Sequence, residues 1–422
     1  MLMIYYIFKN TYFFWVIILL LGLISCRNKS SQKNLENNTG IAQKSNKEVL
    51  IHNETVEDII IASPIDYLHL LQGKVVAIVG NQTSIVKNSN ADFTHLVDTL
   101  ITLKINISKV FSPEHGFRGR ADAGELVLDS KDTQTGLPII SLHGKYKKPT
   151  KEQLKGIEIM IFDIQDVGVR FYTYISTLHY VMEACAEAGI PLIVIDRPNP
   201  NASYIDGPVL ETKHKSFLGM HPVPLVYAMT IGEYAQMING EKWLKDGVQC
   251  NITIMPLKHY SYYTNYSLPT RPSPNLPNDK AINLYPSLGL FEGTSINAGR
   301  GTEMQFQIFG APYLNKKKYP FSYTPRPTLG AKFPKHVGKL CHGLDLRTLP
   351  TLNMINLEWL IDAYNNTPKD QEFFQATFTA HAGTEKLQEQ IKTGLSVTEI
   401  RNTWRQDLEA FKEIRRNYLL YD

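Results

Sequence analysis

Cysteine is scarce: Cys26, Cys185, Cys250 and Cys341 are the only four in 422 residues, and no two are close in sequence. The CxxC pairs of zinc ribbons and redox motifs are therefore missing. HExxH is missing too, so no metal is expected from the spacing of ligands. Neither GxGxxG nor the GxxxxGKS/T phosphate loop occurs, which removes the usual cradles for dinucleotides and nucleotides and leaves no cofactor to expect. No GxSxG elbow is present, so a serine nucleophile of the α/β-hydrolase kind has no support. Charge of one sign is also lacking: Lys+Arg 44 against Asp+Glu 40 leaves +4, too little for the basic face that nucleic acid requires.

Long apolar runs are absent except one. Tyr12–Ile24 is almost unbroken and follows Lys9. It is shorter than the roughly 20 residues of a membrane-spanning helix and sits where the apolar part of an export signal belongs. It ends in Leu23-Ile24-Ser25-Cys26, which resembles a bacterial lipobox. The expectation is a lipoprotein signal over residues 1–25, lipidation of Cys26, and a polar tether over 26–49 that cannot bury enough surface to fold alone. Arg27 follows the cysteine and no acidic residue does, so outer-membrane attachment facing the periplasm is expected, by likeness to other lipoproteins. Of the remaining thiols, Cys185, Cys250 and Cys341, at most one pair can form a disulfide.

After the tether, short β-branched runs alternate with amphipathic ones. Lys74–Val79, Ile107–Phe111, Ile157–Phe162 and Leu192–Ile195 are continuously apolar, as strands covered on both faces are. Ile175–Ala188 has helical spacing and stops at Gly189-Ile190-Pro191, a glycine cap followed by proline. This alternation indicates a mainly parallel α/β domain, placed at 50–220, followed by a second, smaller α/β or α+β domain at 221–422. In the second part, Thr230–Gly240, Leu357–Tyr364 and Ser396–Tyr418 read as helices. Asn251–Met255 and Met304–Phe309 read as strands, and the three prolines of Arg271–Pro277 predict an extended, preset loop.

Ligands of parallel sheets bind beyond the carboxyl ends of the strands, so the residues following each strand are the candidates. They comprise Asn81; Glu114, His115 and Arg118; Asp163, Gln165, Asp166, Arg170, Tyr172 and Tyr174; and Asp196, Arg197 and Asn199. Three strand ends carry carboxylates with an arginine nearby, which predicts a polar pocket. Glu114, on a short stiff loop beside Phe117, has the setting of a general acid; the alternative is an ion pair with Arg118. Asp163 and Asp166 can orient a hydroxyl, assist Glu114 or bind a hard cation. The tyrosines offer faces on which sugars stack. Glu292 and Arg300 flank a Gly-rich loop, and Arg300 offers a fork for a substrate carboxylate; the alternative is a loop held by its own ion pair.

Six motifs stand in order: FSPEHGFRG (111–119), DIQDVGVRFYTY (163–174), DRPNP (196–200), GMHPVPLVYAMTIGE (219–233), PSPNLP (272–277) and EGTSINAGRGT (292–302). From about Lys74 to its end the chain thereby resembles the NamZ-type exo-β-N-acetylmuramidases. The resemblance implies a Rossmann-like domain and a smaller C-terminal domain with the active site in the cleft between them. It implies release of terminal, non-reducing β-1,4-linked N-acetylmuramic acid from peptidoglycan fragments during cell-wall turnover, with Glu114 as the leading catalytic residue. Ser295 departs from the asparagine common in the family. The second catalytic role is left to Asp163, Asp166 or Glu292, and Arg118, Arg170 and Arg300 are available for the sugar's lactyl carboxylate. Two other readings compete: a metal-dependent hydrolase using Asp163, Asp166 and Asp196, and a peptidoglycan-binding lipoprotein without catalysis.

Overall fold

Six parallel strands, the central ones buried, set the position of everything else. The computed structural model describes residues 58–422 except 89, 91, 119–127 and 145; the expected signal, the tether and Cys26 lie outside the described residues. In chain order the strands of the first part are β1 (Val75–Gly80), β2 (Ile85–Lys87), β3 (Phe93–His95), β4 (Asn106–Ser112), β5 (Ser130–Lys131), β6 (Pro138–Ser141), β7 (Ile159–Asp163), β8 (Leu192–Ile195) and β9 (Ile252–Met255). Seven of them form one sheet in the order β5-β6-β4-β1-β7-β8-β9. All its pairings are parallel except β5 with β6. β2 and β3 make a separate hairpin.

The continuous apolar runs have the cause expected of them. Along β1, Val76 and Ile78 pack to one face with the helices Pro64–Leu71 and Leu96–Thr102. Ala77 and Val79 pack to the other, with the helix Tyr174–Ala188. That helix ends where the sequence places its cap: Gly189 is left-handed at φ 67 and Ile190 N–H donates to the Cys185 carbonyl at 2.9 Å.

β9 draws the sheet past residue 220, the expected end of the first domain. Beyond it, β10 (Ile308–Ala311), β11 (Phe321–Tyr323) and β12 (Cys341–Asp345) form a small antiparallel sheet in the order β10-β12-β11. β10 begins later than the run from Met304 suggested, because Phe306 is left-handed at φ 50 and breaks the strand path. The stretch from Arg271 is not simply extended but turns at Ser273, where Leu276 N–H donates to the Ser273 carbonyl at 3.1 Å. The last helix, Val397–Arg416, is continuous and starts from a capping box of Ser396 and Glu399. Cys185, Cys250 and Cys341 are buried and free.

One side chain ties the two parts together. Arg170, completely buried, donates to the carbonyls of Pro208 (2.7 Å), Val223 (2.8 Å), His381 (3.2 Å) and Ala382 (2.6 Å). Gly383, left-handed at φ 76, permits the approach: a Cβ there would stand 2.4 Å from the Arg170 guanidinium. Arg170→Met leaves the Pro208, His381 and Ala382 carbonyls without their donor, and one unpaired buried acceptor costs about 1–3 kcal/mol. Urea denaturation is expected to show a stability loss of about 3 kcal/mol or more; a loss under about 1 kcal/mol would mean the clasp is dispensable.

Candidate active site

A polar cavity of about 250 Å³ opens beyond the carboxyl ends of β4 and β7. β4 runs into a turn, Pro113–Gly116, closed by Gly116 N–H on the Pro113 carbonyl at 3.1 Å. His115 and Gly116 are both left-handed, at φ 72 and φ 78. Strain at a non-glycine residue persists where the surroundings enforce it, often at functional sites. Phe306, also left-handed, lines the same cavity. The turn presents Glu114. Thr173 stands at the N-cap of helix 174–188 without capping it; its hydroxyl instead donates to Glu114 Oε2 at 2.7 Å. The nearby Tyr172 hydroxyl donates to the Pro272 carbonyl at 2.7 Å, and Tyr174 accepts from Asn81 Nδ2 at 2.9 Å.

The facing wall comes from the Gly-rich segment. Glu292 lies in a 3-10 turn, Gly289–Gly293, with Arg300 Nε 2.8 Å from its Oε2. Beneath it, Lys335 Nζ donates to the carbonyls of Phe291 (2.9 Å), Glu292 (3.0 Å) and Thr294 (2.6 Å). Burial pushes this ammonium down to about 8. Burial alone would raise the Glu292 carboxyl, but Arg300, with Lys335, holds it below the ordinary carboxylate range. His381 completes the wall. Its Nδ1 lies 2.9 Å from the Thr377 carbonyl, an acceptor, so Nδ1 carries the proton and Nε2 is an acceptor in the neutral ring. Burial lowers its pKa and favours that neutral form.

Of the residues proposed from sequence, Glu114, His115, Tyr172, Tyr174, Glu292 and Arg300 line this cavity. The others are held elsewhere. Arg118 pairs with Asp132 at 2.8 Å, not with Glu114. Asp163 and Arg197 form a buried ion pair at 2.6 Å. Asp196 accepts from Thr230, Gly232 N–H and Tyr421, fixing the start of helix 231–240. Asp166 accepts from Gly168 N–H at 2.8 Å and from the Tyr227 hydroxyl. Gln165 donates to the Asp166 and Pro198 carbonyls. Asn199 donates to the Met229 carbonyl, Asn81 braces its own turn and Tyr174, and Arg170 is the clasp described above. Thr173, Ser273, Asn275, Tyr285, Phe306 and His381 were not singled out, though all line the cavity. Thr173, Ser273 and Asn275 sit inside quoted motifs; His381 sits in a stretch with no motif, and only the fold brings it there.

Asp166 offers a test of placement. Burial raises its carboxyl from 3.8 to about 6. A folded pKa above the unfolded one contributes stability that is complete below pH 3.8 and lost as pH rises through about 6. Asp166→Asn keeps an acceptor for Gly168 and Tyr227 and cannot ionise. Its stability relative to wild type is expected to rise on the order of 2–3 kcal/mol between about pH 4 and pH 8. A flat difference in denaturation midpoints across that range would contradict the assignment.

The family model described as "Exo-beta-N-acetylmuramidase NamZ, N-terminal" matches residues 76–280, and its C-terminal counterpart matches 283–421. The chain is 38% identical over 376 residues to the peptidoglycan β-N-acetylmuramidase NamZ of Bacillus subtilis (strain 168), covering 84% of this chain and 89% of that one. It is similar to the crystal structure of a DUF1343 family protein of Bacteroides fragilis NCTC 9343, with TM-score 0.78 and 44% identity over 86% of this chain and 99% of that one. A second DUF1343 family protein of the same organism gives TM-score 0.72 and 26% identity over 85% and 97%. The chain belongs to the exo-β-N-acetylmuramidase NamZ family.

Proposed function

We propose that this chain is an exo-acting glycoside hydrolase that removes terminal, non-reducing N-acetylmuramic acid from peptidoglycan fragments, with the cavity between Glu114 and Glu292 as its active site. The observation that carries the reading is a pair of carboxylates on facing walls of one cavity, in different environments. Glycosidases need one carboxyl group to protonate the leaving oxygen and a second, charged one to act at the anomeric centre. Glu114, oriented by Thr173, is the acid: its proton passes to the glycosidic oxygen as the bond from that oxygen to the anomeric carbon breaks, a water oxygen bonds that carbon in its place, and the proton the water loses leaves the acid restored for the next turnover. Glu292, kept ionised by Arg300, stabilises the positive charge that develops on the sugar. Arg118 and Arg170 are committed to Asp132 and to backbone carbonyls. Arg300 is also paired, with Glu292 at 2.8 Å, but of the three it alone lines the cavity, so it is the arginine within reach of the lactyl carboxylate.

The three aspartates that a metal-dependent hydrolase would use do not converge. Asp163 is paired with Arg197, and Asp166 and Asp196 are bound to different loops. The export signal and the lipid at Cys26 remain part of the proposal, placing the enzyme on the outer membrane facing the periplasm, where its substrate is. Palmitate labelling that is present in wild type and lost in Cys26→Ser checks the anchor; labelling retained in the variant refutes it.

Wild type is expected to hydrolyse a chromogenic β-N-acetylmuraminide and spare the corresponding glucosaminide, with or without chelator. Glu114→Gln is expected to lower kcat by about 10²–10⁴-fold, the usual contribution of a general acid. Muropeptide binding with no hydrolysis by wild type would instead favour a binding protein.

A further inference from the structure

We infer that His381 is a further catalytic residue: its Nε2 takes the proton from the water that attacks the anomeric carbon, across the sugar from Glu114. The inference rests on the muramidase reading and deepens it, assigning the half of the reaction that Glu114 does not perform.

The ring is held at three places. Its backbone belongs to the Arg170 clasp, which draws in the His381 and Ala382 carbonyls at 3.2 and 2.6 Å. Nδ1 is fixed by the Thr377 carbonyl at 2.9 Å. The flank of the ring rests on Phe171, with centroids 5.6 Å apart, and both side chains line the cavity. Nε2, on the far side of the ring from the Thr377 carbonyl, makes no hydrogen bond among the described residues and is not one of their buried unpaired atoms. With the proton on Nδ1, Nε2 offers a lone pair. The cavity, at about 250 Å³, is smaller than pockets for drug-sized ligands and suits a single sugar, which brings that lone pair to the face of the ring.

The other titratable groups of the lining are committed or misplaced. Glu114 is the acid. His115 follows it on the same turn, whereas a base that activates water acts from the face of the sugar opposite the acid. Burial raises the hydroxyls of Tyr172, Tyr174 and Tyr285, which stay protonated. Glu292 shares the wall of His381 but is paired with Arg300, and a carboxyl held below its ordinary range is a weak base. Burial lowers the pKa of His381, as do Lys335 and Arg300, while the Thr377 carbonyl and Glu292 raise it. The imidazole is therefore neutral at neutral pH, and the Glu292 charge offsets the one it gains.

In the reaction, the water oxygen bonds the anomeric carbon as the glycosidic C–O bond breaks. The departing oxygen takes the Glu114 proton, and Nε2 takes one from the water. The imidazolium then gives that proton to solvent, and Glu114 regains one from solvent. Attack from the face opposite the leaving oxygen inverts the configuration, so a β-linked muraminide yields the α-anomer first.

Proton NMR of N-acetylmuramyl-β-1,4-N-acetylglucosamine during its first minutes with the full-length wild type reads the anomer without any variant. The α-anomer first is expected. The β-anomer first overturns the inference and leaves the muramidase reading standing, whereas no hydrolysis sinks both. In His381→Ala, kcat is expected to fall about 10²–10⁴-fold, the usual contribution of a general base, with KM near the wild-type value. The fall in kcat/KM that wild type shows as the imidazole protonates at low pH is lost in the variant. Azide needs no base, so with nitrophenyl β-N-acetylmuraminide it is expected to restore the variant's rate about tenfold or more and to give the α-glycosyl azide. His381→Gln, which keeps an acceptor but no base, repeats the measurement if the smaller side chain fails to fold. A kcat in the variants within about tenfold of wild type, or a loss that azide does not restore in either, overturns the inference.

Discussion

The guanidinium of Arg170 is the constraint on which the site depends. It sits immediately before Phe171-Tyr172-Thr173-Tyr174, the segment that forms one side of the cavity, and donates to the carbonyls of His381 and Ala382 on the other side. The segments it joins lie in the two matched parts of the family, 76–280 and 283–421. Burying a cation is unfavourable, and burial pushes Arg170 down to about 9. The fold tolerates this because the charge is surrounded by backbone carbonyl oxygens, whose dipoles replace lost water. An apolar side chain could fill the space but could not draw four carbonyls to one point.

The electrostatic contrast in the cavity follows from that joining. One wall brings Glu114 on a strained turn and orients it through a threonine taken from the start of a helix. The other brings Glu292 with its own cations, Arg300 beside it and Lys335 beneath its loop. Lys335 spends its donors on backbone carbonyls, so it shapes the loop and acts on the Glu292 charge at the same time. Strain at His115 and Phe306, on the two walls, marks the places where the backbone yields to the geometry of the site.

The sheet was legible because each of its central strands is apolar on both faces, a pattern that short runs produce when helices cover the sheet from above and below. The end of helix 174–188 was legible because glycine and proline act locally. Glu114, Glu292 and Arg300 were readable as candidates for the same kind of reason, since they sit on short, stiff or Gly-rich loops, and the fold brings them to one cavity. The aspartates after the strands misled the reading: Asp163, Asp166 and Asp196 occupy the expected edge, but their carboxylates hold loops together. From sequence alone, a carboxylate that binds loop N–H groups looks the same as one that faces a ligand. Arg118, offered for the substrate carboxylate or as an ion-pair partner of Glu114, is held by Asp132, which is reached only through the fold. His381 and Lys335 had no local signal at all; their roles arise from contacts between distant segments.

The most direct test of the central claim is a crystal structure of the Glu114→Gln protein with the intact disaccharide N-acetylmuramyl-β-1,4-N-acetylglucosamine. The account predicts the muramic acid ring in the cavity between positions 114 and 292, with the glycosidic oxygen within hydrogen-bond reach, about 3 Å, of the side chain at position 114. A disaccharide bound with that oxygen turned away from position 114, or held outside this cavity, would contradict it.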